Sequence, residues 1–415
     1  MAIYSTCHLP LLGPMSKPPA PAGLLLLITI LYANGILAAT MYLPSLPTIG
    51  DQLSAPADVL PITLTAYFIT FAGGQLLFGP LSDRYGRRPL LLGGLAMMVV
   101  GSAACALVES LQGLLWARAA QGLGAASAMA IGRAIVNDAY ERVQAARATS
   151  VISAAMAIAP IVSPLLGGLI EQYIGWRANF WISGGITLVV MLVLMLRMPE
   201  TYTPGLSSGP LLPGILRAYG FLLRSRIFLT FGLLNMGIFA GLHGFNAAAP
   251  SVLIVSMDLD PVSFGVLMSF GSAGFFVGAI VSSWLGARLG LRRMVDLGVL
   301  CMVAGALGLA LWVEALGPSI TAIVVLRTLW AIGMGLALPN SVVAAVGVNP
   351  AAIGAGAALS GFLQTMGGIM GSAVNALFPA GDPLSLGLAF ACTALFGAMV
   401  WWMNRDAAAP VAKAG

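Results

Sequence analysis

Charge is what this sequence has least of: Asp, Glu, Lys and Arg together make up 8% of its 415 residues, against 59% hydrophobic. Soluble domains carry about 25% charged residues, so a water-soluble enzyme or binding module is excluded. The formal net charge is +5, yet the basic residues form neither a tail nor a stripe interleaved with aromatics, which excludes a nucleic-acid surface. Four cysteines, Cys7, Cys105, Cys301 and Cys392, lie far apart and fit no CxxC or metal-ligand spacing. Three of them sit in apolar runs as small hydrophobes, and no metal or redox role follows. The sequence also lacks a Walker A lysine motif, HExxH, GxSxG and paired carboxylates at membrane depth. These absences argue against an ATP-driven pump and against a membrane-embedded enzyme.

What is present is a succession of apolar runs, each long enough to cross a hydrocarbon core about 30 Å thick as a helix. Charges, prolines and glycines cut the chain into twelve spans near 22–43, 57–78, 89–108, 113–136, 147–170, 177–197, 227–250, 262–284, 294–313, 319–338, 353–377 and 384–403. The tenth has the composition to run on through Pro339 towards Val346. The first is too long for a signal-peptide core and is followed by YLPSLP, not by a small-residue cleavage site. Met15-Ser16-Lys17 reads like a translation start, which leaves residues 1–14 as either an extension or a Pro-rich tail.

The few charges are sorted by side. With the N-terminus inside, Arg84, Arg87, Arg88, Arg217, Arg224 and Arg226 fall in loops expected to be cytoplasmic, with Lys17, Arg405 and Lys413 on the tails. Asp51, Asp58, Glu109, Glu171, Asp258, Asp260, Glu314 and Asp382 fall at the expected outer side. The net positive charge is thus an orientation signal. Domain organisation follows: a cytoplasmic tail over 1–21, a six-helix bundle over 22–200, a Pro/Gly-rich linker over 201–226, a second bundle over 227–405 and a tail over 406–415. The halves echo each other, SDRYGRRPLL returning as GARLGLRRMV and RAAQGLGAA weakly as RTLWAIGMG, at offsets of about 205 to 209 residues.

Gly79-Pro80-Leu81-Ser82-Asp83-Arg84-Tyr85-Gly86-Arg87-Arg88 resembles the loop motif of the major facilitator superfamily, G-x-x-x-D-R-x-G-R-R. Gly79 and Gly86 can supply tight turns, and Asp83 can pair with an arginine or sit at a helix N-terminus. Arg118-Ala119-Ala120-Gln121-Gly122-Leu123-Gly124-Ala125-Ala126 resembles the fourth-span motif R-x-x-Q-G-x-G-x-A, with Arg118 and Gln121 sharing a helix face. In the fifth span, Pro160, Pro164, Gly167 and Gly168 resemble the antiporter motif ending G-P-x-x-G-G, with Ser163 where the family has glycine before the proline. Tyr42-Leu43-Pro44-Ser45-Leu46-Pro47, Arg133-Ala134-Ile135-Val136-Asn137-Asp138 and the stretch from Gly356 to Gln364 narrow the resemblance to Bcr/CflA-type drug exporters.

The resemblance implies an all-α membrane protein of twelve transmembrane helices in two pseudo-symmetric six-helix bundles. It implies a bacterial inner-membrane drug:proton antiporter, monomeric, working without a cofactor, whose loop motif latches the cytoplasmic side shut. It also implies a pathway lined by spans one, four, seven and ten, whose polar and aromatic members are Asn34, Thr40, Arg118, Gln121, Asn235, His243, Asn246, Arg327 and Trp330, with Tyr67 and Gln364 beside them. Polar side chains between membrane helices also serve as glue, and Arg118 has snorkelling open to it.

One departure is chemically important. Relatives carry a carboxylate two residues before Tyr-Leu-Pro, and this chain has Thr40. No acidic residue lies in the middle of a span, and the deepest charges are Arg118 and Arg327. Such a cavity favours neutral or anionic solutes over quaternary-ammonium dyes. Protons then need another carrier: His243, or Asp83 and Asp138 at the cytoplasmic mouth. Exporter of neutral or weakly anionic drug-like compounds is the leading reading; a specific metabolite transporter or an uncoupled uniporter is the alternative.

Overall fold

The computed structural model describes residues 23–56, 59–201, 211–348 and 353–406. The N-terminal tail with Met15 and Lys17, Asp58, residues 202–210 of the linker, and the C-terminal tail from 407 with Lys413 lie outside the described residues. The helices are α1 (Leu24–Thr40), α2 (Leu46–Leu53), α3 (Ile62–Tyr85), α4 (Arg87–Leu107), α5 (Leu111–Ala139), α6 (Arg142–Tyr173) and α7 (Arg177–Arg197). They continue with α8 (Leu211–Arg224), α9 (Arg226–Pro250), α10 (Pro261–Leu316), α11 (Ile320–Val346), α12 (Ile353–Asn375) and α13 (Pro383–Asn404). α10 is two helical arms merged across a kink at Gly290. Counting those arms separately and setting aside the short α2 and α8, twelve long helices stand where the twelve apolar runs predict them.

Nine helical stretches among the described residues are long and apolar enough to cross a membrane. Their perimeter agrees: Val100, Val189, Leu196, Trp284 and Leu311 are each more than three-fifths exposed. A water-facing surface of that kind would aggregate, whereas lipid tails solvate it. α1 and α3–α7 form one bundle, in which α5 lies against α3 and α4, α4 against α7, and α1 against α6. α9–α13 form the other, where α10 packs on α11 and α9 on α12 and α13. The bundles meet along two seams, α3 on α12 and α6 on α10.

The internal repeat is visible in the backbone. Gly86 (φ 96°, ψ 151°) reverses the chain between α3 and α4, and Gly290 (φ 78°, ψ 161°) does so between the arms of α10. Both sit in a positive-φ region that side chains other than glycine rarely adopt, so the repeated glycine fixes the same turn twice. Two aspartates cap helices at the opposite end. Oδ1 of Asp260 accepts from the amides of Val262 (3.0 Å) and Ser263 (2.9 Å), and Oδ2 of Asp382 accepts from the Ser385 amide (2.9 Å). Hydrogen bonding to Ser263 and Ser385 respectively holds each carboxyl below its ordinary value.

Two elements depart from the linear reading. LPTIGDQL forms α2 directly after the first span, and the stretch read as linker contains α8. Elsewhere, small residues set helix spacing. A Cβ on Gly278 would strike the carbonyl of Ile332, and one on Gly335 that of Phe275, so α10 and α11 touch backbone to backbone. Gly278→Leu is therefore expected to cut the yield of monodisperse protein by at least about half, since overpacking costs roughly 1–3 kcal/mol. Size-exclusion of a fluorescent fusion measures this, and wild-type yield would show slack in the seam.

Candidate functional site

At the basic end, the loop between α3 and α4 is organised by carboxylates. Arg87 forms an ion pair with Asp83, its Nε donates to Oδ2 of Asp138 on α5 (3.0 Å), and its Nη1 donates to Ser82 Oγ (2.6 Å). Glu200, just beyond α7, accepts the backbone N–H groups of Arg87 (2.9 Å) and Arg88 (3.1 Å), placing negative charge at the N-terminus of α4. A Cβ on Gly86 would lie 2.6 Å from the Glu200 carboxylate, so the glycine provides the close approach as well as the turn. Arg88 Nη2 donates to the Met195 carbonyl (2.6 Å), while Arg84 is exposed and lies over Tyr85. Gly79 is half-buried, and its carbonyl accepts from Ser82. Asp83, Arg87, Asp138 and Glu200 all belong to the first bundle. Sequence reasoning missed Glu200, whose only linear signal is an acidic residue closing the sixth span.

The opposite end is where the bundles close on each other. The turn Leu43–Ser45 touches α6, α9 and α10, and α2 meets the turn Ser251–Ser256. Ala247 of α9 and Ile369 of α12 join a core with Tyr42, Leu46, Tyr67 and Phe68. α6 stays helical through Pro160 and Pro164, and its motif residues line the seam. The Pro160 carbonyl accepts from Ser272 (2.9 Å), while Gly167 lies against Met41 and Gly168 against Pro261.

Beneath this closure lies Arg118, fully buried. Its Nη1 donates to the Ala38 carbonyl (2.8 Å) and to Gln121 Oε1 (2.5 Å), and its Nη2 donates to the Ala39 carbonyl (3.3 Å). The guanidinium sits over the rings of Tyr42 (4.4 Å) and Tyr67 (4.5 Å). Gln121 passes the network on to Ser102 (2.9 Å). Arg118 thus ties α5 to the end of α1; it does not snorkel. Thr40 hydrogen-bonds Ser163 Oγ at 2.7 Å, either hydroxyl donating. The two departures from the family pattern are partners.

The second bundle differs. Arg327 is 6% exposed, lies over Phe245 (5.1 Å) and Trp330 (5.2 Å), and its Nε and Nη1 have no hydrogen-bond partner among the described residues. Trp330 Nε1, Asn246 Oδ1 and His243 Nδ1 are buried and likewise unpartnered there. The His243 ring packs 4.4 Å from Phe68 across the seam and 5.7 Å from Phe239. Two expected pathway residues are bonded elsewhere: Asn34 to Ser183 (3.0 Å) and Thr187 (2.9 Å) of α7, and Asn235 to Ser341 (2.5 Å) of α11. Gln364 is half-buried on α12.

Two six-helix bundles meeting along α3·α12 and α6·α10, with a charge-clasped loop at one end and a buried arginine within each bundle, define a polytopic transporter built on an internal repeat. The Major Facilitator Superfamily model matches residues 28–372, and the chain belongs to that superfamily. It is 27% identical over 384 residues to multidrug resistance protein D of Escherichia coli (strain K12), covering 91% of this chain and 95% of the relative. To the chloramphenicol resistance protein of Pseudomonas aeruginosa it is 30% identical over 315 residues, covering 74% and 72%. In fold it is similar to the crystal structure of peptide transporter POT in complex with sulfate, with a TM-score of 0.74, 14% identity, and 94% and 95% of the two chains covered.

Proposed function

We propose that this transporter is a secondary active exporter that expels small neutral or weakly anionic drug-like compounds by alternating access, driven by the proton gradient. The basic end faces the cytoplasm with both termini, and the protein works as a monomer in a bacterial inner membrane without a cofactor. The bundles span 22–200 and 227–405, joined through 201–226. Relatives named for multidrug and chloramphenicol resistance support drug export. The observation that carries the solute class is the Thr40–Ser163 pair: a neutral hydroxyl contact stands where the family resemblance leads one to expect a first-span carboxylate. With Arg118 and Arg327 the deepest charges, a desolvated cation there meets like charge.

The loop motif acts as a breakable latch. The Asp83–Arg87–Asp138 contacts draw charges from α3, α4 and α5 together at the end opposite the closure, which supports an exchangeable charged latch there. Asp138, 24% exposed in that network, and Asp83 are one candidate pair of proton carriers, open to water; His243 on the seam is the alternative. The Thr40–Ser163 pair also favours a second reading, an uncoupled uniporter or specific metabolite carrier that has dispensed with a first-span proton site.

Expression in an efflux-deficient bacterium tests the proposal through growth inhibition by cationic, neutral and anionic compounds, beside Asp83→Asn. Protection restricted to neutral and anionic compounds and lost in the variant is expected. Strong protection against quaternary-ammonium dyes overturns the solute class, and no protection by membrane-inserted protein moves the assignment to the metabolite carrier.

A further inference from the structure

Arg118 and Arg327 are the eighth residues of α5 and α11, matching positions in the two bundles, and both are buried. Their surroundings are not matched. Arg118 spends Nη1 and Nη2 on two carbonyls and a glutamine between two tyrosine faces, leaving only Nε without a hydrogen bond among the described residues. Arg327 has aromatic faces beside it but leaves Nε and Nη1 without hydrogen bonds among the described residues. Buried cations are ordinarily paired, and an arginine acting as helix glue makes the bonds that Arg118 makes. At 6% exposure Arg327 does not reach water as a snorkelling residue does. The ion pairs found among the described residues are made by Arg87 and Arg292, so no carboxylate among those residues serves it.

The surroundings are arranged for a ligand. A Cβ on Gly271 of α10 would stand 2.9 Å from Nη1, so at this position the guanidinium lies against bare backbone. Trp330 contributes a second buried N–H without an acceptor. Phe390 packs 5.0 Å from both Phe245 and Trp330, holding the two rings in place before any solute arrives. A planar fork of donors matches a carboxylate, and flat aromatic walls match a flat apolar body.

We propose that Arg327, with the indole N–H of Trp330, binds the carboxylate of aromatic organic anions, and that Arg118 takes no part in solute binding. This rests on the exporter reading and deepens it, adding an anion contact in the second bundle to the absence of a carboxylate in the first.

The test uses the purified full-length protein in detergent, titrated with 2-naphthoate and with its neutral amide, binding being read as a thermal shift. Wild type is expected to favour naphthoate by roughly tenfold or more, as a charge-assisted bidentate contact allows. Arg327→Gln should bring the ratio near one, and Arg327→Lys, which keeps the charge and loses the fork, should fall between. Trp330→Phe keeps the ring, loses the N–H and lowers the ratio several-fold, so the proposal stays testable if Arg327→Gln folds poorly. An unchanged ratio in Arg327→Gln overturns the proposal, as does equal stabilisation by naphthoate, its amide and chloride alone. Drug resistance in cells without any naphthoate preference overturns this inference and leaves the exporter standing; an Arg327-dependent preference without resistance supports the inference and overturns export.

Discussion

Arg118→Ala is expected to leave a protein that melts far below wild type, with a loss of about 3–5 kcal/mol from unmet buried acceptors and a cavity together. The side chain is fully buried, and its removal orphans the carbonyls of Ala38 and Ala39 and Gln121 Oε1. Those carbonyls lie in the last turn of α1, where the helix has no further amides to offer and where a cation also meets the negative end of the helix dipole. The vacated volume between Tyr42 and Tyr67 adds a cavity penalty. Arg118→Lys rescues little, because an ammonium is a compact point charge that cannot reach three acceptors while stacked between two rings. Thermal unfolding of the purified variants in detergent decides this. A melting temperature within about 2 °C of wild type for Arg118→Ala would mean that the network carries no stability, and Arg118 would return to the candidates for solute contact.

Arg118 also shows what the linear sequence can and cannot disclose. Its depth in a span was legible, because a bilayer forces hydrophobic length into the sequence and makes any interruption conspicuous. Its role was not. The acceptors sit in α1, Tyr67 in α3, and only the fold brings these to one point. The same physics explains why the twelve spans and the repeated Gly86 and Gly290 turns could be anticipated while α2 and α8 could not. A short helix at an interface needs only one apolar stripe, and its polar residues look like those of a loop. Glu200 is a related case: the loop motif announced charges needing partners, but the carboxylate capping α4 comes from more than a hundred residues further along the chain. Asn34 and Asn235, expected on the pathway as polar groups within spans, bond to Thr187 of α7 and Ser341 of α11.

Thr40→Asp is expected to change what drives transport and what is carried. Thr40 stands 9% exposed at the end of α1, hydrogen-bonded to Ile36 O (2.9 Å) and Ser163 Oγ (2.7 Å). A carboxylate at this position keeps an acceptor for the Ser163 hydroxyl and lies one and two residues from the carbonyls that Arg118 engages, so it enters with a donor and a cation nearby. It brings to this position a group able to take up and release a proton, which neither threonine nor an always-charged arginine does. It also supplies the negative charge that a desolvated cation requires. Ethidium efflux from everted membrane vesicles is therefore expected to rise by roughly tenfold, the effect of one charged contact of about 1.4 kcal/mol, and to depend on an imposed pH gradient. Thr40→Asn is the matched control, with the same shape and neither charge nor titration. Its efflux should stay at the wild-type level. If Thr40→Asp and Thr40→Asn behave alike, with both proteins folded, the neutral pair does not determine coupling or charge selection, and the search for the proton carrier shifts to Asp138 and its pairing with Arg87 at the basic end.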